Sequence, residues 1–105
     1  MSRRNEPSTV FGRRLKQARL QSGLSQKEVG IKADLDQFVA STRINRYEQG
    51  IHAPDFSTAK RLAKVLNVPV AYFYADTERM ARLIKAFDKL GAADQEAIIR
   101  DLETR

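Results

Sequence analysis

Leu24 to Gly50 reads LSQKEVGIKADLDQFVASTRINRYEQG, and the rest of the chain is organised around it. Ser25 and Glu28 have the spacing of a capping box, in which a hydroxyl and a carboxylate each satisfy a backbone N–H at the start of a helix. Gln26 then takes the first helical position, Val29 faces inward, and Ile31 or Ala33 continues the buried side. Lys32 to Gln37 follows as a connector, because Asp34 and Asp36 are turn and cap formers. The next helix starts between Asp36 and Ala40 and runs to about Gln49, with Gly50 at the C′ position, where a positive φ costs little. Val39, Ile44 and Tyr47 form its inner side, with Ala40 as a further contributor. Ser41, Thr42, Arg43, Asn45 and Arg46 are left for the other faces.

Working outward, residues 1–8 contain Arg3 and Arg4 and read as a mobile arm, either solvated or able to touch phosphate. Ser8 or Thr9 caps a helix with Phe11, Leu15, Ala18 and then Leu20 as its apolar stripe, ended by Gly23. After the central pair, Asp55 caps a helix to Leu66 that carries Phe56, Ala59, Leu62, Ala63 and Leu66 inward, with Asn67 as terminator. Pro69 suits the first turn of a short fifth helix through Val70, Tyr72, Phe73 and Tyr74. Asp76 or Thr77 caps a sixth, in which Met80, Leu83, Ile84 and Phe87 recur at helical steps. Gly91 breaks it, and a last helix from about Ala93 has Ile98, Ile99 and Leu102 as its apolar edge. No strand-like alternation is present, so the fold class is all-α. The expected organisation is an arm over 1–8, a unit over 9–75 and a helical extension over 76–105.

Composition narrows the function. There is no cysteine and one histidine among 105 residues, which removes thiolate zinc sites and His-rich metal sites; no metal or cofactor is expected. No apolar run approaches a membrane span, and the N-terminus lacks the apolar segment of a secretory signal, so a cytoplasmic protein is expected. The net charge of +6 is unevenly placed. Residues 1–75 hold 13 Lys/Arg against 6 Asp/Glu, whereas residues 76–105 hold 6 against 7. A polyanionic partner is therefore sought at the central helices, with nucleic acid ahead of a membrane surface. The carboxylates are scattered, no serine has a histidine partner placed by a motif, and no glycine-rich phosphate loop is present, which argues against an enzyme.

Gly23-Leu24-Ser25-Gln26 with Arg19 before it, INRYEQG from Ile44 to Gly50 with Pro54 after it, and the closing RLAKVLNVPVAYFY together resemble the lambda-repressor-like helix-turn-helix family. This group contains the phage Cro and CI repressors and the XRE-type regulators, and the resemblance covers about Thr9 to Ala75. It implies a five-helix domain whose third helix enters the major groove of double-stranded DNA by its N-terminal part. Gln26 would lie against the DNA backbone, its amide contacting phosphate or bracing a base-reading residue. Ser41, Thr42 and Arg43 would lie nearest the base edges and Asn45 and Arg46 next, with Arg43 suited to guanine and Asn45 to adenine. Arg19 and Glu48 would form a structural ion pair. Arg13, Arg14, Lys27, Lys32, Arg46 and Lys60 are phosphate candidates, and His52 is either a backbone contact or a solvated loop residue. Tyr72, Phe73 and Tyr74 read as core and dimer-contact residues.

One departure from the family stands out. The span from Gln26 to Glu48 is about four residues longer than the family pattern, the excess falling in Ala33 to Val39. Either the connector is a real loop, or the recognition helix gains a turn at its N-terminus that would push Gln37 and Ala40 toward the groove. The resulting expectation is a repressor that binds a palindromic operator as a homodimer, with the 76–105 extension either folded onto the core or shared between two copies. The competing expectation is an antitoxin or adaptor whose apolar tail binds a protein partner, with DNA binding secondary.

Overall fold

Thr9 opens the first helix, its hydroxyl accepting the Gly12 N–H at 2.9 Å. The computed structural model describes residues 9–105, and the arm expected over 1–8 lies outside them. The described residues fold as α1 (Val10–Ser22), α2 (Gln26–Lys32), α3 (Ala40–Glu48), α4 (Phe56–Leu66), a 3-10 segment (Val70–Tyr74), α5 (Glu78–Asp88) and α6 (Ala92–Glu103), with no strand among them. The expected fifth helix is thus a 3-10 turn: Pro69 starts it, and the tighter pitch turns Tyr72 and Phe73 into the core while leaving Tyr74 exposed. None of the described helices is long and apolar enough to cross a membrane.

The terminators lie where the sequence put them. Gly23, Gly50 and Asn67 have φ of 76°, 77° and 58°, the left-handed conformation that closes a helix. Asp55 Oδ1 accepts the Thr58 N–H at 2.8 Å, and Thr77 Oγ1 accepts that of Met80 at 3.1 Å, so Thr77 rather than Asp76 is the cap.

The core lies between α1 to α4 and the 3-10 segment. Leu15, Val29, Ile44, Leu62, Tyr72 and Phe73 are its largest fully enclosed side chains. Phe11 tilts against Phe73 with ring centroids 4.9 Å apart. Several expected core residues lie outside it. Leu20 is exposed because five helical steps carry it roughly 140° round α1 from Leu15. Val39 is exposed because it precedes the helix, as the N-cap of α3, and Ala40 takes the buried position. Phe56, in the first turn of α4, is also exposed, and Lys60 Nζ lies 5.7 Å from its ring centre. Of the Ile31 and Ala33 alternatives, Ala33 is the buried one.

Two close helix approaches depend on the absence of a side chain. A Cβ on Gly12 would lie 2.5 Å from the carbonyl oxygen of Glu48, so α1 passes directly over the end of α3. A Cβ on Gly30 would lie 2.7 Å from that of Ala40, which fixes how closely α2 and α3 cross. Both glycines position α3, and neither stands out in the sequence, because their role depends on a neighbour at long range.

The 76–105 segment is tied to this body by polar and apolar contacts. Arg14, expected to face a polyanion, is instead buried: its Nε donates to the Ala75 carbonyl at 3.0 Å and one terminal nitrogen pairs with Glu78 at 2.8 Å. Gln17 also donates to Glu78, Lys85 donates to Gln21 at 2.9 Å, and Ala81 is fully buried. The remaining apolar positions of α5 are less covered, with Ile84 and Phe87 half-buried and Met80 and Leu83 exposed. No residue of α6 is fully buried.

Candidate nucleic-acid interface

The helix pair is built from its caps inward. Ser25 Oγ accepts the Glu28 N–H at 3.0 Å and Glu28 Oε1 accepts the Ser25 N–H at 2.8 Å, so the capping box is complete. The two hydrogen bonds favour the charged carboxylate and hold the Glu28 pKa below its ordinary value. Gln26 is thereby fixed at the first position of α2, where its backbone N–H has no partner within the helix.

The connector resolves as a loop, and α3 gains no extra turn. It begins with Asp34 at φ 70°, buries Leu35, and turns again where Asp36 Oδ1 accepts the Phe38 N–H at 2.8 Å. Ala40 opens α3 and is fully buried, so it cannot face a groove, while Gln37 is exposed on the loop rather than on the helix. Arg61 of α4 holds the start of this loop. Its Nε donates to the Ala33 carbonyl at 2.9 Å, and its terminal nitrogens donate to Ser57 and Thr58. That role escaped sequence reasoning, in which Arg61 was one of many basic residues.

On α3, Ile44, Tyr47 and Glu48 turn inward, and Ser41, Thr42, Arg43, Asn45 and Arg46 share the exposed surface, as their spacing predicts. The face is braced from below. Glu48 Oε2 accepts from Arg19 Nε at 2.6 Å and Glu48 Oε1 from a second Arg19 nitrogen at 3.1 Å. Gln26 Nε2 then donates to Glu48 Oε1 at 3.0 Å and to Asn45 Oδ1 at 3.2 Å. The reverse amide orientation would set the Gln26 carbonyl oxygen against a carboxylate, so the network itself selects this one. Both amide protons of Gln26 are thus engaged within the protein, and only its bracing function is seen in the geometry. Asn45 keeps its amide donors and a second lone pair on Oδ1.

Arg43 is held at one point. It donates to the Tyr47 hydroxyl at 2.9 Å and its guanidinium carbon lies 5.9 Å from the centre of that ring, leaving further N–H donors in the same plane. Arg43, Arg46, Tyr47, His52 and Ala53 line a shallow concavity at this end of α3. A fixed amide, two arginines and two small hydroxyls on one exposed helix form a donor-rich surface suited to base edges and phosphates.

Residues 15–73 match the helix-turn-helix family. The chain belongs to that family. Its type is the lambda-repressor-like, XRE-type helix-turn-helix of DNA-binding transcription regulators. Among similar proteins of this type is the cryptic phage CTXphi transcriptional repressor RstR of Vibrio cholerae, 26% identical over 96 residues, covering 85% of this chain and 81% of that protein. The crystal structure of the transcriptional regulator BswR superposes with a TM-score of 0.80 at 39% identity, over 90% of this chain and 93% of that one. Both similarities extend beyond the helix-turn-helix core, so the helical extension has counterparts in proteins of comparable length.

Proposed function

We propose that this regulator is a repressor that binds a palindromic operator as a homodimer, with α3 inserted in the major groove. The observation that carries the reading is the exposed polar face of α3, held by Arg19, Glu48 and Gln26 from below. Ser41, Thr42 and Arg43 would read the nearest bases, with Asn45 and Arg46 following. Because both Gln26 amide protons are engaged, its contribution to phosphate contact would come from its backbone N–H, beside the side chain of Lys27. Gln37 would approach from the connector. Placing the dimer contact in the 76–105 extension is supported by the groove between α5 and α6, lined by Leu83, Ile84, Phe87, Ile98 and Leu102, and by the lack of a fully buried residue in α6. Two copies joined there would carry two recognition helices to half-sites about 34–36 Å apart.

Selection of bound sequences from random duplex DNA tests this directly. The expected result is a palindrome with that half-site spacing and an affinity that falls steeply with salt, in proportion to the number of phosphate contacts. Binding that ignores salt would overturn it. The same apolar groove also favours a second reading, in which a different polypeptide docks on the tail. A monomeric purified protein that forms a stable complex with a co-encoded partner would support that alternative.

A further inference from the structure

We propose that Phe38 is a specificity-determining residue that reads a thymine methyl group at the entrance of α3 to the major groove. The inference rests on the placement of α3 given above. At 86% exposed, Phe38 is the least covered large apolar side chain among the described residues. An aromatic ring left in water forgoes the burial that such side chains normally supply, so a surface that covers it on binding is favoured.

The ring is also presented on a restrained backbone. Leu35 is buried and its N–H donates to the Gly30 carbonyl at 2.9 Å, while Arg61 holds the Ala33 carbonyl. At the other end, the Phe38 N–H donates to Asp36 Oδ1 and the Val39 N–H to the Asp36 carbonyl at 3.1 Å. Little further backbone ordering is then needed on binding.

Position supplies the rest. Phe38 precedes Ala40 by two residues, which keeps its backbone within about 7 Å of the start of the helix. The major groove is about 12 Å wide, so an N-terminus that enters it brings the end of the connector to its edge. A phenyl ring has no donor or acceptor for phosphate, and the apolar feature of the major groove is the thymine C5-methyl. The adjacent Gln37 carries an amide suited to adenine, so the lengthened connector adds a reading tip to the helix.

The experiment uses the full chain and the duplex recovered by selection, scanning each thymine by replacement with deoxyuridine, which removes only the methyl. With one such thymine replaced in both half-sites, the wild-type dimer should lose about 15-fold in affinity, about fourfold for each of the two buried methyl groups. Phe38→Ala should lose the same amount on the thymine duplex and nothing further on the deoxyuridine duplex, whereas Phe38→Leu should retain most of the discrimination. Circular dichroism and unfolding curves should match wild type, because the ring is outside the core. Equal losses for Phe38→Ala on both duplexes would show a wedge or backbone contact and overturn the proposal, as would unchanged affinity. Failure of the wild-type protein to select any sequence would instead overturn the DNA-reading assignment on which this rests.

Discussion

Arg19 and Glu48 form a two-point ion pair, 2.6 and 3.1 Å, that fastens the end of α1 to the last turn of α3. The Glu48 side chain is 2% exposed and that of Arg19 12%, so the pair is largely shielded from solvent. Loss of either partner leaves an uncompensated charge inside. Arg19→Ala and Glu48→Ala are each expected to destabilise the fold by roughly 3–5 kcal/mol in urea denaturation. The double variant should cost less than the sum of the two, because the second removal relieves the charge stranded by the first.

Gly12→Ala places a methyl group 2.5 Å from the Glu48 carbonyl oxygen, which is backbone and yields only if α3 moves. The expected loss is about 1–3 kcal/mol by overpacking, outweighing the gain of up to about 1 kcal/mol in helix propensity. If α3 enters the major groove as proposed, operator affinity should fall more than the loss of folded protein accounts for, since α3 is the displaced element. Gly91→Ala is the control for space: nothing lies within 4 Å of its added Cβ, so the only expected cost is the weaker N-cap of α6, up to about 1 kcal/mol, with α3 undisturbed.

Glu78 gives the stability a defined acid dependence. Hydrogen bonds from Arg14 and then Gln17 hold its carboxyl below its ordinary value of 4.5. A carboxylate depressed in the folded state stabilises that state above the unfolded pKa, and the contribution is lost as pH falls through the lower folded value. The unfolding midpoint should therefore drop from about pH 5 downward. Glu78→Gln should flatten part of that slope and lower the neutral-pH midpoint, because buried Arg14 loses its partner charge.

Removal of residues 91–105 takes away α6, which contains no fully buried residue, and leaves Glu78 and Ala81 in place. The shortened protein should fold with a nearly unchanged helical spectrum per residue. If α6 supplies half of the dimer contact, sedimentation should show a monomer and operator affinity should fall. A cut after Ala75 is a harsher test: it removes the carboxylate paired with Arg14 and should cost fold stability as well.

The readable parts of the helix-turn-helix were those governed by neighbours in sequence. Ser25 and Glu28 cap because they are three residues apart on one turn, Gly23, Gly50 and Asn67 terminate because they tolerate positive φ, and Ile44 and Tyr47 share a face by helical periodicity. The same periodicity exposed Ser41, Thr42, Arg43, Asn45 and Arg46 together. It misplaced Leu20, Val39 and Phe56, since an apolar residue is buried only where another element reaches it.

Sequence by itself determined the all-α class, most helix limits and the exposed polar face of α3, because each follows from local spacing and backbone preference. Tertiary structure alone decided the rest. Whether the connector became a loop or a helical turn depended on Leu35 finding the core and on Arg61, 28 residues after Ala33, reaching its carbonyl. Arg14 became an internal link to Ala75 and Glu78 for a similar reason: a guanidinium far from its partners in sequence is indistinguishable from a surface charge until the chain folds back.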